Sequence, residues 1–409
     1  MLIGPGGSVP MTEIAQTADG RLPLAFLTDR TDRGANAPVL HAMAVSLAPT
    51  ERVDFQDPAA CLRALRRLGA TAVTTFLPRL APLAAGLHSR LADGVASGPD
   101  QPQGPWPVEG PWRASGPGGR AAGHPTPTDR PDNVERATGQ PAGYSADPPA
   151  DLMSVEMLRN SGARWGSRLA FVTDRPCPVG PGRESGLLAP SSRCPDLTDR
   201  ASAAAAQAVS RRPASGGAFR ATARLTADGP ELLDVTGTLG PLVARAARFG
   251  AGEDLTWLAL ACAARLPDVP LPEQLTWRRC VAALLLPPPP GAHTVVSAPS
   301  RRHLLRLRNV LTVDQLSCAG DRVADWAGAP GGSVATVWLA ADDHQTLRRR
   351  FVDTAALLNE AFAFADVSGA PVRDGRWLRS LTSADPSHGH ADRGPTSRHV
   401  SSAEPNRAR

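Results

Sequence analysis

Residues 94–150 interrupt the chain with a composition unlike that of the segments on either side. This stretch carries Gly104-Pro105-Trp106-Pro107, Gly110-Pro111-Trp112 and Gly116-Pro117-Gly118-Gly119, then Pro125, Pro127 and Pro131, with almost no apolar periodicity. A segment of that kind cannot bury enough apolar surface to offset the entropy of ordering its backbone. The expectation is a disordered linker. Residues 367–409 are also polar, and a disordered tail is expected there, most plainly from Ala384. Folding is therefore left to residues 1–93 and 151–366. A length of 409 residues fits two or three domains. The chain is 42% hydrophobic but only 4% aromatic, so its cores must be built from Ala, Leu and Val.

In residues 1–93, strand-like and helix-like segments alternate. Met1–Ile3 reads as a strand running into Gly4-Pro5-Gly6-Gly7-Ser8, with a helix from about Pro10. Leu22–Leu27 reads as a strand, and Pro58–Leu68 as an amphipathic helix capped by Asp57. Ala70–Phe76 reads as a further strand and Leu80–Leu91 as a helix. Such alternation predicts a parallel α/β unit. The turn with Gly4, Gly6 and Gly7 can hold a phosphate at a helix N-terminus, or can simply reverse the chain.

After the linker, Leu152–Leu158 and Arg168–Thr173 read as strands and Ser202–Arg211 as an alanine-rich helix. Phe219–Thr226 and Glu231–Val235 form a hairpin around Ala227-Asp228-Gly229-Pro230. Leu242–Phe249 and Leu255–Leu266 read as helices, Val281–Leu286 and Val334–Leu339 as strands, and His344–Phe362 as a long helix.

All 44 basic residues are arginine; the chain has no lysine. That excludes a Schiff-base lysine, a phosphate-loop lysine and a lysine general base. Arginine stays protonated and can clamp anions without titrating. The net charge is +5. Across the chain the arginines are scattered among aspartates with no compact basic block, so no nucleic-acid partner is expected. The six cysteines have neither metal-ligand spacing nor the density of a disulfide framework, and reduced structural thiols are expected. No signal peptide is read at the start, and no apolar run approaches the roughly 20 residues of a membrane span. A cytoplasmic location is expected.

An ordered series of residues in 151–281 resembles the C-terminal half of the ATP-grasp superfamily, in its biotin carboxylase and carboxylate–amine ligase branch. The series is Ser154-Val155-Glu156, then Phe171-Val172-Thr173-Asp174-Arg175, then the Leu188-Ala189-Pro190 turn and the alanine helix. It closes with the hairpin from Arg224 to Gly240. Val281–Leu286 with its trailing prolines resembles the family's closing subdomain, and the opening α/β unit resembles its N-terminal domain. The fold class implied is α/β, with a Rossmann-like N-terminal domain over 1–93 and a partial ATP-grasp α+β domain over 151–274. A small closing subdomain is expected over 275–366.

The resemblance implies ATP and magnesium as cofactors and a small-molecule carboxylate or amine as substrate. ATP-grasp ligases make an acyl phosphate that a nucleophile then attacks. The family carries one acid on the first hairpin strand and a Glu-x-Asn-x-Arg cluster on the second. Here the first position is Thr222, and the cluster reads Asp234, Thr236 and Thr238. Asp234 is thus the candidate metal ligand. Glu156, with Gly4, Gly6 and Gly7, is a candidate for holding nucleotide. Each residue also has a plainer reading. Asp234 can be a solvent-facing strand residue, Glu156 an edge carboxylate, and Gly240 a turn residue. Arg245 and Arg248 share a helix face and can hold an anion or be solvated. His293 and His303 have no partner acid at useful spacing.

Three functional readings are open. The first is an ATP-grasp-like protein with most of its catalytic apparatus lost, serving as a pseudoenzyme or with a protein partner. The second is an active ligase using Asp234 and arginines. The third is an eroded reading frame in which 94–150 replaces a former subdomain.

Overall fold

The computed structural model describes residues 2–3, 9–32, 37–93, 152–161, 168–176, 186–210, 217–240, 242–323 and 332–372. Expectations for the linker at 94–150, for the tail beyond Val372 and for Gly4, Gly6 and Gly7 lie outside these residues.

The N-terminal unit runs β1 (Leu2–Ile3), α1 (Met11–Ala18), β2 (Phe26–Asp29), α2 (Ala37–Leu47), β3 (Thr50–Val53), α3 (Pro58–Arg67) and α4 (Ala81–Asp93). The three strands form one sheet in the order β1-β2-β3, and both pairings are parallel, as the strand–helix alternation requires. The Asp57 carboxylate accepts the Ala60 N–H at 2.9 Å, and Pro58 occupies the first turn of α3, where its missing N–H costs nothing. Two details differ from the expectation. The strand expected at Leu22 starts at Phe26, because Leu22 N–H still donates to Ala18 O and closes the α1 turn. Ala70–Phe76 forms no strand. Its Val73 N–H donates to Nδ1 of the buried His88 at 3.1 Å, and Thr75 Oγ1 accepts from Leu77 N.

The second part runs β4 (Leu152–Arg159), β5 (Arg168–Arg175), β6 (Gly186–Ala189), α5 (Pro195–Ser210), β7 (Ala218–Thr226), β8 (Gly229–Thr236), α6 (Val243–Gly250) and α7 (Leu255–Ala263). It continues with β9 (Cys280–Leu286), β10 (Thr294–Ser297), α8 (Arg301–Leu305), β11 (Val310–Leu316), β12 (Ala335–Ala341), α9 (His344–Ala361), β13 (Ala363–Ala365) and β14 (Pro371–Val372). Eight of these strands make one antiparallel sheet in the order β11-β12-β9-β6-β5-β4-β7-β8. Strands from both sides of residue 275 belong to it. β10, β13 and β14 form a small separate sheet.

Strand alternation divides the large sheet's side chains between two layers. Met153, Val155, Met157, Val172, Phe219, Ala221 and Ala223 face α5, which meets them with Ala201, Ala205 and Val209 at helical spacing. Farther along the sheet, Ala282, Leu284, Val337 and Leu339 pack under Leu347, Phe351, Ala355 and Leu358 of α9. Leu158, Phe171, Val281, Ala283, Leu285 and Trp338 face the other way, toward α6 and α7 and, through them, Ile14 and Ala18 of α1. The N-terminal unit is therefore held to the sheet by a shared apolar core.

Candidate functional site

The hairpin β7–β8 forms where expected. Gly229 follows the Ala227-Asp228 turn with φ +116°, a conformation that side chains disfavour. Thr226 pairs with Gly229, Arg224 with Glu231 and Ala223 with Leu232. The register then shifts by one, so that Thr222 faces Asp234 and Arg220 faces Thr236. Leu233 is the extra residue of this bulge. Without it, Leu233 would stand opposite Thr222, and Asp234 would turn toward α5.

The shift completes a transverse row. Ser154 of β4 pairs with Thr173 of β5 on one side and with Thr222 of β7 on the other, and Thr222 pairs with Asp234. Directly opposed residues in an antiparallel pair point to the same face. Thr173, Ser154, Thr222 and Asp234 thus line up on the face away from α5. Ser154 and Thr173 are fully buried, Thr222 is buried, and Asp234 is half-buried. The Ser154 and Thr173 hydroxyls make no hydrogen bond among the described residues. Asp234 is thus half-buried, and the residue opposite it across the hairpin is Thr222, not a second acid.

The next row holds Phe171, Glu156, Arg220 and Thr236. β4 is central and Glu156 has 0% exposure, so the edge-carboxylate reading fails. Glu156 Oε2 accepts the Gly240 N–H at 2.8 Å. A Cβ on Gly240 would meet Glu156 Oε1 at 2.5 Å and Arg220 Cδ at 2.9 Å. Gly240 is thus glycine because the loop after β8 passes against this carboxylate, beyond any need of a turn. Thr238, the third position of the expected cluster, lies past the end of β8 and is buried.

Arg245 is half-buried and Arg248 exposed, and both meet acids. Arg245 pairs with Glu13 of α1 at 3.5 Å and also with Asp314 of β11, whose Oδ2 accepts from Trp338 Nε1 at 2.5 Å. Arg248 lies 3.3 Å from both Glu13 and Asp254. These arginines tie the N-terminal helix to the sheet, and acids already engage both of them.

Asp174 is a buried acid to which no motif assigns a role. It accepts from Ser191 Oγ at 2.5 Å, Ser192 N at 2.8 Å and Ser192 Oγ at 2.7 Å. Arg193 and Arg348 each stand 3.9 Å away. Its oxygens are thus satisfied by the loop after β6, with α9 adding a cation. Only the three-dimensional register places it there, and no local signal in the sequence marks it.

Burial pushes the Cys61 thiol up to about 11 and the Cys262 thiol up to about 12, which leaves both inert. Among the described residues no group of three or more His, Cys, Asp or Glu can hold a metal ion, and no helix is long and apolar enough to cross a membrane.

No protein-family model matches the chain, and no curated protein matches its sequence. Solved structures do match its fold. L-amino acid ligase from Bacillus licheniformis aligns at TM-score 0.57 and 14% identity, over 91% of this chain and 98% of that one. Phosphoribosylglycinamide synthetase from Anaerococcus prevotii aligns at TM-score 0.55 and 8% identity, over 89% and 99%. N5-carboxyaminoimidazole ribonucleotide synthetase from Thermus thermophilus aligns at TM-score 0.53 and 15% identity, over 88% and 98%. With the antiparallel sheet, its hairpin and the parallel α/β unit before it, the chain has the ATP-grasp fold.

Proposed function

We propose that this chain is an ATP-grasp-like protein, related to ATP-dependent carboxylate–amine ligases and carboxylases, whose catalytic apparatus is impaired. The pairing of Thr222 with Asp234 carries the reading. Phosphoryl transfer to a carboxylate concentrates negative charge on the phosphates, and catalysis consists largely of positioning cations against it. Magnesium in such sites is held by carboxylates facing the phosphates. The row offers Asp234 with hydroxyls at Thr222, Ser154 and Thr173, so the second acid is missing. This donor set does not fit a resident magnesium ion, and no step is assigned to one. No lysine can compensate anywhere in the chain.

The bulge at Leu233 favours a second reading. It keeps Asp234 on the buried polar face, where an active ligase acting on a small carboxylate or amine would need it. Thermal melting with magnesium-ATP separates the two. A ligand at 100 times its dissociation constant stabilises by about 2.7 kcal/mol. The impaired protein shows no such rise at millimolar ATP. A rise of that size, abolished by Asp234→Ala, establishes the active ligase instead.

A further inference from the structure

We propose that the segment Arg301–Arg308, at the β11 edge of the large sheet, is a docking strip for the phosphate backbone of duplex nucleic acid. Across the whole chain the two charges are mixed, but here they separate. From Gln274 to Val313 there is no Asp or Glu, and Arg301, Arg302, Arg306 and Arg308 stand within this window together with His303. All four arginines are exposed. Elsewhere the arginines of the described residues commonly meet acids, as Arg30 does Asp54 and Arg224 does Glu231. These four make no ion pair among the described residues. The acid that ends the window, Asp314, is occupied by Arg245 and Trp338.

The local structure presents these cations. Ser300 caps α8 by accepting the His303 N–H at 3.1 Å, and Leu304 is fully buried in the core shared with α9. That anchor turns Arg301, Arg302 and Arg306 outward. Arg308 follows at the turn into β11, the outermost strand of its sheet. The strip therefore lies on an edge and not in a pocket, which suits a macromolecule. Guanidinium groups match phosphate oxygens with two parallel donors. No Phe, Trp or Tyr lies between Ser300 and Val313 to stack an unpaired base, which favours duplex over single strand. An anionic membrane fits less well. α8 has five residues, and within Arg301–Arg308 the exposed large aliphatic side chain is Leu305 alone, too little for an interfacial helix.

The test uses the full chain and a fluorescein-labelled, mixed-sequence DNA duplex, with affinity measured over a range of salt. Four phosphate contacts predict a slope of log K against log salt of about −3.6, at about 0.9 per contact. The double variants Arg301→Gln/Arg302→Gln and Arg306→Gln/Arg308→Gln should each flatten that slope by about two contacts' worth. Arg66→Gln/Arg349→Gln removes the same charge from exposed sites elsewhere and should leave the slope unchanged. Melting curves confirm that every variant is folded. The proposal is overturned if the duplex does not bind at low salt, or if the control pair flattens the slope as much as the strip pairs. It is also overturned if vesicles of anionic phospholipid bind through these arginines and the duplex does not.

Discussion

Strands β4, β5, β7 and β8 present two faces that obey the same alternation and serve opposite ends. The face toward α5 is apolar, from Met153 and Val155 to Phe219 and Ala223. The face away from it buries Ser154, Thr173, Thr222 and Glu156. Burying apolar surface is favourable by roughly 25 cal/mol per Å², whereas burying a polar group without a partner costs free energy. The first face therefore explains why the hairpin folds. The second carries a cost at Ser154 and Thr173, whose hydroxyls make no hydrogen bond among the described residues, and it holds the candidate residues Glu156 and Asp234.

Substitutions on each face test that division. The largest effect is expected on the α5 face, where Phe219→Ala should lower unfolding free energy by about 3–5 kcal/mol in urea titrations. A loss no larger than that of a surface substitution would remove the contrast. On the other face the strongest effect should come from the Glu156–Gly240 contact. Glu156→Ala strips the acceptor from a buried N–H and should cost about 1–3 kcal/mol, while Glu156→Gln, which keeps an acceptor oxygen, should cost less. Gly240→Ala should cost about 1–3 kcal/mol by overpacking against the same carboxylate. Ser154→Ala should go the other way and raise stability by about 1 kcal/mol, since its hydroxyl is buried without a hydrogen bond among the described residues. A loss there would show that the hydroxyl already has a structural partner. Asp234→Asn should change stability by no more than about 0.5 kcal/mol, because the half-buried carboxylate anchors no element.

Much of this architecture was legible in the sequence. The β7–β8 hairpin announced itself through Asp228-Gly229-Pro230 between alternating residues. α3 was bounded by its cap Asp57, and β9 was an unbroken apolar run. The remainder is not encoded in local pattern. α2 is uncharged, with no polar face to set a period, and β3 is short and polar. β6 read as a turn because only four residues precede Pro190, although it joins β5 to β9. The strand order rests on pairings between distant segments, which leave no trace in neighbouring residues. The two strands and turn of the hairpin were readable, but regular alternation sets Leu233 opposite Thr222, and the bulge that brings Asp234 there was not. The burial of Glu156 and the partners of Arg245 required the assembled sheet. The separation of charge between Gln274 and Val313 lay open in the sequence, hidden only by averaging over the whole chain.

The bulge at Leu233 makes residue parity a heritable variable in this hairpin. Deleting Leu233 would leave both strands paired and the turn intact, and would keep Asp234 opposite Thr222 but one position nearer the turn. In a relative that lacks the inserted residue, an ungapped count from the turn therefore sets Asp234 against a residue on the opposite side of the sheet. Any search for relatives that retain the acid must count residues from the Asp228-Gly229 turn and locate the inserted residue before comparing the positions beyond it.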